Sequence, residues 1–207
     1  LLADWPFTRE FEVKTAHGPE KRAWYFPSRS DCIACHTQHA GSVMGLNTRQ
    51  LNRMHEYGKI KDNKIRVFER LGIFSEPLPQ PAGDLEAFPD WEAQAAPVDT
   101  RARAYLASNC SMCHSPGGSG HAGGAAMDMR FHLPLHEAFP DTVNQLSPGD
   151  PARSVLLKRM TTRHHNDQMP PLATNRVDDE AVKVIQQCRA PDIRPDLALN
   201  RLISGDS

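Results

Sequence analysis

Long hydrophobic runs are absent from this 207-residue chain, and aromatic residues make up only 7 %. A membrane-spanning helix needs about 18 or more consecutive apolar residues, so we expect no transmembrane segment. The chain also lacks an excess of charge of either sign, because its 24 Lys and Arg nearly balance its 25 Asp and Glu and leave a net charge of −1. This balance provides no general attraction to nucleic acid or to anionic lipid, and we expect no nucleic-acid partner.

The start of the chain lacks both a methionine and a charged-then-apolar leader. The chain is therefore either a mature protein after signal removal or a piece of something longer. Hydrophobic residues make up 39 %, which is ordinary for a globular protein and excludes disorder along the whole chain. The length suits one large domain or two small ones.

Cysteine is used in a distinctive way. Four of the five cysteines form two copies of the pattern Cys-x-x-Cys-His, at residues 32–36 and 110–114. The fifth, Cys188, stands alone, and we expect it to pack as a small hydrophobic residue. Two copies by chance have a probability on the order of 10⁻⁵ at this composition, so the duplication is the strongest signal in the sequence.

The stretch 76–99 differs in composition from its surroundings, with six acidic residues, five prolines and no Lys or Arg. Such a composition is typical of a stiff linker. We therefore predict a first domain at residues 1–75, a Pro-rich acidic linker at 76–98, a second domain at 99–190 and a tail at 191–207. Each predicted domain then carries one Cys-x-x-Cys-His copy.

Helical spacing of apolar residues and capping residues predict an all-α fold of two small, loop-rich domains. A short apolar run at 24–27 is either a strand or a loop. Residues 48–70 are rich in Lys and Arg and form either a solvated helical face or a docking surface for an acidic partner or for the acidic linker. In the first half we predict a helix capped by Ser30 or Asp31, a second over 48–57 and a third over 63–71. In the second half we predict a helix over 101–114 that is capped by Asp99 or Thr100, and another that opens at Asp150-Pro151 and continues through Met160. The last predicted helix starts near Asp178 and stops before Pro191.

The spacing inside each Cys-x-x-Cys-His copy suits the covalent attachment of haem. Cysteines at i and i+3 and a histidine at i+4 point to one side of a helix. Two thioether bonds can then hold the edge of a flat macrocycle while the histidine reaches the iron. Zinc is the competing interpretation, but paired Cys-x-x-Cys zinc sites are usually much closer in sequence, and zinc gives no reason for the two histidines. The sequence therefore predicts two haem c groups, attached at Cys32, Cys35, Cys110 and Cys113, with His36 and His114 as proximal ligands.

The sixth iron ligand of the second haem is predicted to be Met169. The two prolines that follow it keep this residue out of a helix and stiffen an extended loop. A methionine opposite the histidine raises the reduction potential of the iron. Met127 and Met129 are the fallback, after a Gly-rich loop that could wrap the haem edge.

The sixth ligand of the first haem is less determined by the sequence. Met54 and His55 lie on the predicted helix 48–57, which could fold over the distal face, but adjacent helical residues point about 100° apart and cannot both bind. Met44 follows His36 by eight residues, which is a tight span. We favour Met54, with His55 or Met44 as alternatives and an open position as the remaining option.

Further short motifs accompany the two Cys-x-x-Cys-His copies. They are 101–106, Asn109 through His114, 148–151, Ser154 with Leu156-Leu157, Arg159-Met160 and 169–171 in the second half, and 27–29, 32–36, Ala40-Gly41, Gly45-Leu46, 50–52 and Tyr57-Gly58 in the first. In these motifs, residues 99–190 resemble a class I cytochrome c domain, and residues 24–74 resemble the haem region of bacterial di-haem cytochromes associated with sorbosone/glucose-type dehydrogenases. The resemblance implies an all-α fold, covalent haem and maturation outside the cytoplasm.

The expected function is electron transfer between a redox enzyme or complex, such as a dehydrogenase or a respiratory or photosynthetic complex, and a downstream acceptor in the periplasm or another extracytoplasmic space. No catalytic residue is expected, since the protein would supply position and tuning to the cofactor. The alternatives are a di-haem peroxidase or oxidase-like enzyme with one open haem, and a structural electron-relay subunit of a larger complex.

Overall fold

The computed structural model describes residues 4–120, 127–139, 145–147, 150–163, 167–172 and 174–188. These residues form α-helices together with two antiparallel sheets of two strands each. The chain is therefore mixed α and β, and the prediction of an all-α fold is wrong. The predicted tail at 191–207 lies outside the described residues.

A long hairpin near the start of the chain overturns the all-α expectation. Strands β1 (Phe7–Thr15) and β2 (Gly18–Phe26) pair along their full length, with Phe7 opposite Phe26. Apolar and charged residues alternate along β1, and a period of two is that of a strand rather than a helix. The apolar face of the hairpin borders a cavity of about 600 Å³ whose other wall is the segment 174–176.

The rest of the first half consists of short elements. The helix predicted over 48–57 ends at Leu51. The next residue, Asn52, is held by its side chain, which donates a hydrogen bond to the Leu85 carbonyl and accepts one from Asn63. A tight turn at Gly58 (φ +65°) then folds the chain back. The helix predicted over 63–71 is confirmed. The elements are α1 (Arg29–Ile33), α2 (Thr48–Leu51), β3 (Met54–Tyr57), β4 (Ile60–Asn63) and α3 (Lys64–Arg70).

The second half is helical. Its last helix begins after Asp178, whose carboxylate accepts a hydrogen bond from the Ala181 N–H, as predicted. The segment opened by Asp150 is a single 3₁₀ turn, Pro151–Arg153, and the helix that follows is capped by Ser154 instead. The elements are α4 (Val98–Cys110), α5 (Leu135–Ala138), α6 (Val155–Thr161) and α7 (Asp179–Gln187).

The hydrophobic core lies in the second half, where α4, α6 and α7 pack together. Leu106, Met129, Phe139 and Ile185 are almost completely buried there, and Cys188 joins them as predicted. In the described part of the first half and the acidic stretch, the fully buried apolar side chains are Ile65 and Ala82. The first half therefore has little apolar core of its own.

The acidic Pro-rich stretch packs against both halves. The Phe88 N–H donates to the Arg49 carbonyl (2.9 Å), and the Arg49 guanidinium pairs with Glu86. The Phe88 ring lies 5.1 Å from the ring of Phe131 in the second half, at a steep angle. Of the two interpretations of the basic segment 48–70, the contact between Arg49 and Glu86 favours docking of the acidic stretch.

Other cations of the basic segment are neutralised within the first half. Arg66 and Arg70 both pair with the carboxylate of Asp62, whose side chain is only 11 % exposed. Hydrogen bonding from Arg66 lowers the pKa of that carboxyl from its ordinary value. Among the residues described, no helix combines the length and the apolar character required to cross a membrane.

Candidate haem-attachment sites

Both Cys-x-x-Cys-His copies fold into the same single turn. The N–H groups of Cys35 and His36 donate to the Cys32 carbonyl at 3.2 and 2.9 Å. In the second copy the equivalent distances, to the Cys110 carbonyl, are 3.1 and 2.8 Å. Each copy begins at the end of a helix: Cys32 is the penultimate residue of α1, and Cys110 is the last residue of α4. In both, the backbone closes a helical turn around the motif.

The start of α1 is secured by a reciprocal cap. The Ser28 hydroxyl accepts from the Asp31 N–H, and the Asp31 carboxylate accepts from the Ser28 N–H at 2.9 Å. The sequence pattern predicted the cap at Ser30 or Asp31, two or three residues late. The cap orients the helix that carries Cys32, whose N–H donates to the Ser28 carbonyl at 3.1 Å.

The His36 ring is oriented by the backbone. Its Nδ1 lies 2.7 Å from the Ser42 carbonyl oxygen. A carbonyl can only accept, so Nδ1 carries the hydrogen and donates, and Nε2 keeps its lone pair. Ser42 has a φ of +60°, which is uncommon for a residue with a side chain. An imidazole held through its other nitrogen is the usual arrangement of a metal-binding histidine.

The second copy is wrapped closely by a glycine-rich loop, residues 115–120. A Cβ atom at Gly120 would lie 2.8–3.0 Å from the His114 ring atoms, and one at Gly118 would lie 2.2 Å from the Cys113 carbonyl oxygen. The Gly120 N–H donates to that same carbonyl at 3.0 Å. Only glycine allows the backbone to approach the Cys-x-x-Cys-His turn this closely.

The two copies lie beside each other, which sequence reasoning did not foresee. Burial raises the pKa of the Cys35 thiol, and the neighbouring Cys113 raises it further. Ser119 donates from its hydroxyl to the Ala34 carbonyl at 2.9 Å. Burial raises the pKa of the Cys110 thiol to about 12. Residues more than seventy positions apart in sequence therefore form one local site.

His39 contributes a further contact between the copies. Its Nε2 lies 3.0 Å from the Ser115 hydroxyl oxygen. That hydroxyl already donates to the Ser111 carbonyl at 2.8 Å, so the His39 Nε2–H is the donor to Ser115. The ring packs so closely that a Cβ at Gly117 would lie 3.0 Å from its Nδ1. The sequence offered little to predict this contact of His39 with Ser115, beyond the position of His39 three residues after His36.

The methionines predicted as second-haem ligands occupy different environments. Met169 is half-buried, and its N–H donates to the Arg159 carbonyl at 3.0 Å, which ties its loop to α6. Met129 is 1 % exposed in the hydrophobic core, and its N–H donates to the His114 carbonyl at 2.8 Å. Met127 is packed against the same core.

The candidates for the first haem are spread over two segments. Met54 and His55 lie on strand β3 rather than on the predicted helix; Met54 is 50 % exposed, and the His55 ring meets that of Tyr57 edge-on at 4.8 Å. Met44 lines a cavity of about 200 Å³ between the loop 39–50 and residues of the second copy that include Met112.

No cluster of three or more His, Cys, Asp or Glu side chains suited to a metal ion occurs within the part of the chain that the structure describes, which includes all four motif cysteines.

A buried arginine was also missed by sequence reasoning. Arg103 on α4 is 6 % exposed, and burial lowers its pKa. Its guanidinium donates to the Arg130 carbonyl, while Nε and Nη1 have no hydrogen-bond partner among the described residues. A buried cation with free donors is suited to an anionic group.

Comparison with known proteins found no family model, no curated protein and no solved structure that matches this chain.

Proposed function

We propose that this chain is a di-haem c-type cytochrome that transfers electrons between a redox enzyme or complex and a downstream acceptor. The observation that carries the proposal is the duplicated Cys-x-x-Cys-His sequence, folded twice into the same turn. Cys32 and Cys35 would hold one haem, and Cys110 and Cys113 the other. His36 and His114 would be the proximal ligands.

The local structure fits such a cofactor in two respects. The hydrogen bond from His36 Nδ1 to the Ser42 carbonyl leaves Nε2 available to iron. The first half, with little apolar core in its described part, would gain a large apolar core element from a porphyrin, which small domains often require for stability.

When bound, haem supplies one-electron redox chemistry at its iron. The chain's own contribution would be to fix the proximal imidazoles, to exclude water and to choose the second axial ligand. Met169 as that ligand would raise the potential of the second haem. The Met169 loop is stiffened by two prolines and tied to α6 at Arg159, which supports a fixed position for the sulfur.

Met44 would be a poorer ligand for the first haem than the sequence alone suggests. Its near neighbour Ser42 accepts a hydrogen bond from His36 Nδ1, the ring nitrogen that would not bind the iron. Met44 follows Ser42 by two residues, which spans at most about 7 Å, so this loop would lie on the His36 side of the haem. Met54 on β3 stays the proposed ligand, with His55 as the alternative, and an open position would make the first haem a site for peroxidase-like chemistry.

Covalent haem of this type also implies a place of action. The thioether bonds of haem c would be formed outside the cytoplasm, as the resemblance to bacterial di-haem cytochromes implies, and we propose a periplasmic or otherwise extracytoplasmic location. The partners would be redox proteins.

The test is to count covalent haem after expression with a c-type maturation system. We expect the pyridine haemochrome spectrum to report two haems per chain. The double variants Cys32→Ala with Cys35→Ala, and Cys110→Ala with Cys113→Ala, should each keep one. Cys188→Ala is the matched control, because this buried thiol lies outside both motifs, and it should keep both. A wild-type chain without covalent haem would refute the proposal.

Carbon monoxide distinguishes the electron carrier from the enzyme alternative. If the reduced spectrum is unchanged by the gas, both irons have two firm protein ligands and the carrier function stands. Binding to about half of the haem would place an open or labile position at one site, and peroxidase activity would then be assayed.

A further inference from the structure

The segments that surround the two Cys-x-x-Cys-His copies are joined by side-chain contacts, not merely placed in neighbouring domains. His39 Nε2–H donates to the Ser115 hydroxyl at 3.0 Å, and the Ser119 hydroxyl donates to the Ala34 carbonyl at 2.9 Å. Ser115 is buried, so its hydrogen bond is shielded from water. Both contacts therefore link the segment of one motif directly to the segment of the other.

These contacts lie directly beside the residues that would attach and bind haem. Ala34 precedes Cys35, and Ser115 follows His114. In haem c the motif sulfurs are bonded to the edge of the porphyrin, so two adjoining motifs bring two porphyrin edges close together. The His39 ring also packs tightly on the second segment, since a Cβ atom at Gly117 would lie 3.0 Å from its Nδ1. The two segments cannot separate without losing these contacts.

We infer that the chain holds its two haems as an adjacent pair, with His39 and Ser119 as the positioning residues that keep the pair together. The inference rests on the proposed function. An electron that passes between the irons oxidises one by one electron and reduces the other by one electron, so exchange within the pair needs no further reactant. A pair of this kind equilibrates internally before it meets its acceptor.

The predicted arrangement has an optical signature that separate haems lack. Two strongly absorbing chromophores in close contact give a two-signed circular dichroism band in the Soret region, and its amplitude falls steeply as they move apart. We expect this band in the two-haem wild-type protein. We also expect its spectrum to differ from the sum of the spectra of the two single-haem variants.

The positioning residues are tested by His39→Ala combined with Ser119→Ala. We expect the two-signed band to lose more than half of its amplitude while the haem count per chain stays at the wild-type value. His17→Ala is the matched control, because His17 is an exposed residue in the turn of the first hairpin, and it should leave the band unchanged. A purely structural role for His39 would lower the thermal stability without altering the band.

A second measurement covers the case in which the variants fail to fold. Electron paramagnetic resonance of the fully oxidised wild-type protein should show spin–spin interaction between the two ferric centres. Two covalent haems whose resonance and dichroism spectra are those of isolated centres would overturn the haem pair while leaving the proposed function intact. A haem count below two would instead count against the proposed function itself.

Discussion

At the scale of single residues, the histidines of the two Cys-x-x-Cys-His motifs are fixed in different ways. His36 is held through a hydrogen bond to a backbone carbonyl whose residue has a positive φ, and His114 is enclosed by a loop in which only glycine fits. Both arrangements restrict the imidazole before any cofactor arrives. Restriction of this kind lowers the entropy lost when a ligand is bound.

The prediction at this scale concerns Met169 as the ligand of the second haem. Met169→Ala should abolish the weak far-red absorption of a methionine–iron bond in the oxidised protein and lower the reduction potential of one of the two haems. The measurements are the oxidised absorption spectrum and a potentiometric titration.

Met129→Leu is the matched control for that experiment. Met129 is buried in the core, and its N–H donates a hydrogen bond to the His114 carbonyl. A swap that conserves volume costs less than about 1.5 kcal/mol and should leave the band in place. Loss of the band in Met129→Leu together with its retention in Met169→Ala would exchange the roles of the two methionines.

At the scale of elements, capping residues decide where the helices begin, and several plausible caps compete in the sequence. Asp150 followed by Pro151 looks like a helix start, yet the side chain of Asp150 makes no capping hydrogen bond and only a 3₁₀ turn forms. Ser154, four residues later, is 1 % exposed, accepts from the Leu157 N–H and donates to the Gln145 carbonyl. Ser154 is the cap that forms, because its hydroxyl is buried and makes hydrogen bonds both to the helix and to the segment before it.

Ser154→Ala is therefore expected to lower the free energy of unfolding by about 1–2 kcal/mol, the usual cost of a lost N-cap. Asp150→Ala should change it by no more than about 0.5 kcal/mol, as for most exposed substitutions. Urea unfolding of both variants measures the difference. Equal effects at the two positions would show that the cap of α6 lies at neither residue alone.

At the scale of the whole molecule, the acidic stretch acts as a strap between the halves. Its Glu86 pairs with Arg49 and its Phe88 packs on Phe131, while Trp91 packs edge-on against Tyr105 at 5.2 Å. Composition alone indicated a stiff spacer. The structure adds contacts to both halves, which restrict how far the two Cys-x-x-Cys-His segments can move apart.

Phe88→Ala tests the strap. An aromatic pair contributes about 0.5–1.5 kcal/mol, so local opening should rise about 2- to 12-fold. Cleavage by a glutamate-specific protease after Glu86 and Glu92 reports this opening directly. Phe11→Ala removes an aromatic contact within the first hairpin and should leave the rate of cleavage in the strap unchanged. An unchanged rate in Phe88→Ala would mean that the Phe131 contact does not hold the strap.

Strand structure was the part of the fold that sequence reasoning missed. The alternation of Phe7, Phe11 and Val13 with charged residues was a signal for β1 that could have been read. The strand at Met54–Tyr57 had no such signal, because its residues also suit a helix and only pairing with Ile60–Asn63 decides between them. Short segments of this kind take their conformation from tertiary partners.

The sequence by itself determined the features that depend on neighbouring residues: the Cys-x-x-Cys-His turns, the helix after Asn63, the helix after Asp178 and the lack of a membrane-spanning helix in the described chain. Spacing along the backbone and local hydrogen bonds are sufficient for these. Only the tertiary structure decided that Ser119 reaches Ala34, that His39 reaches Ser115 and that the acidic stretch binds both halves. Such contacts join residues far apart in the chain, and their geometry depends on how the whole molecule packs rather than on any pattern within one segment.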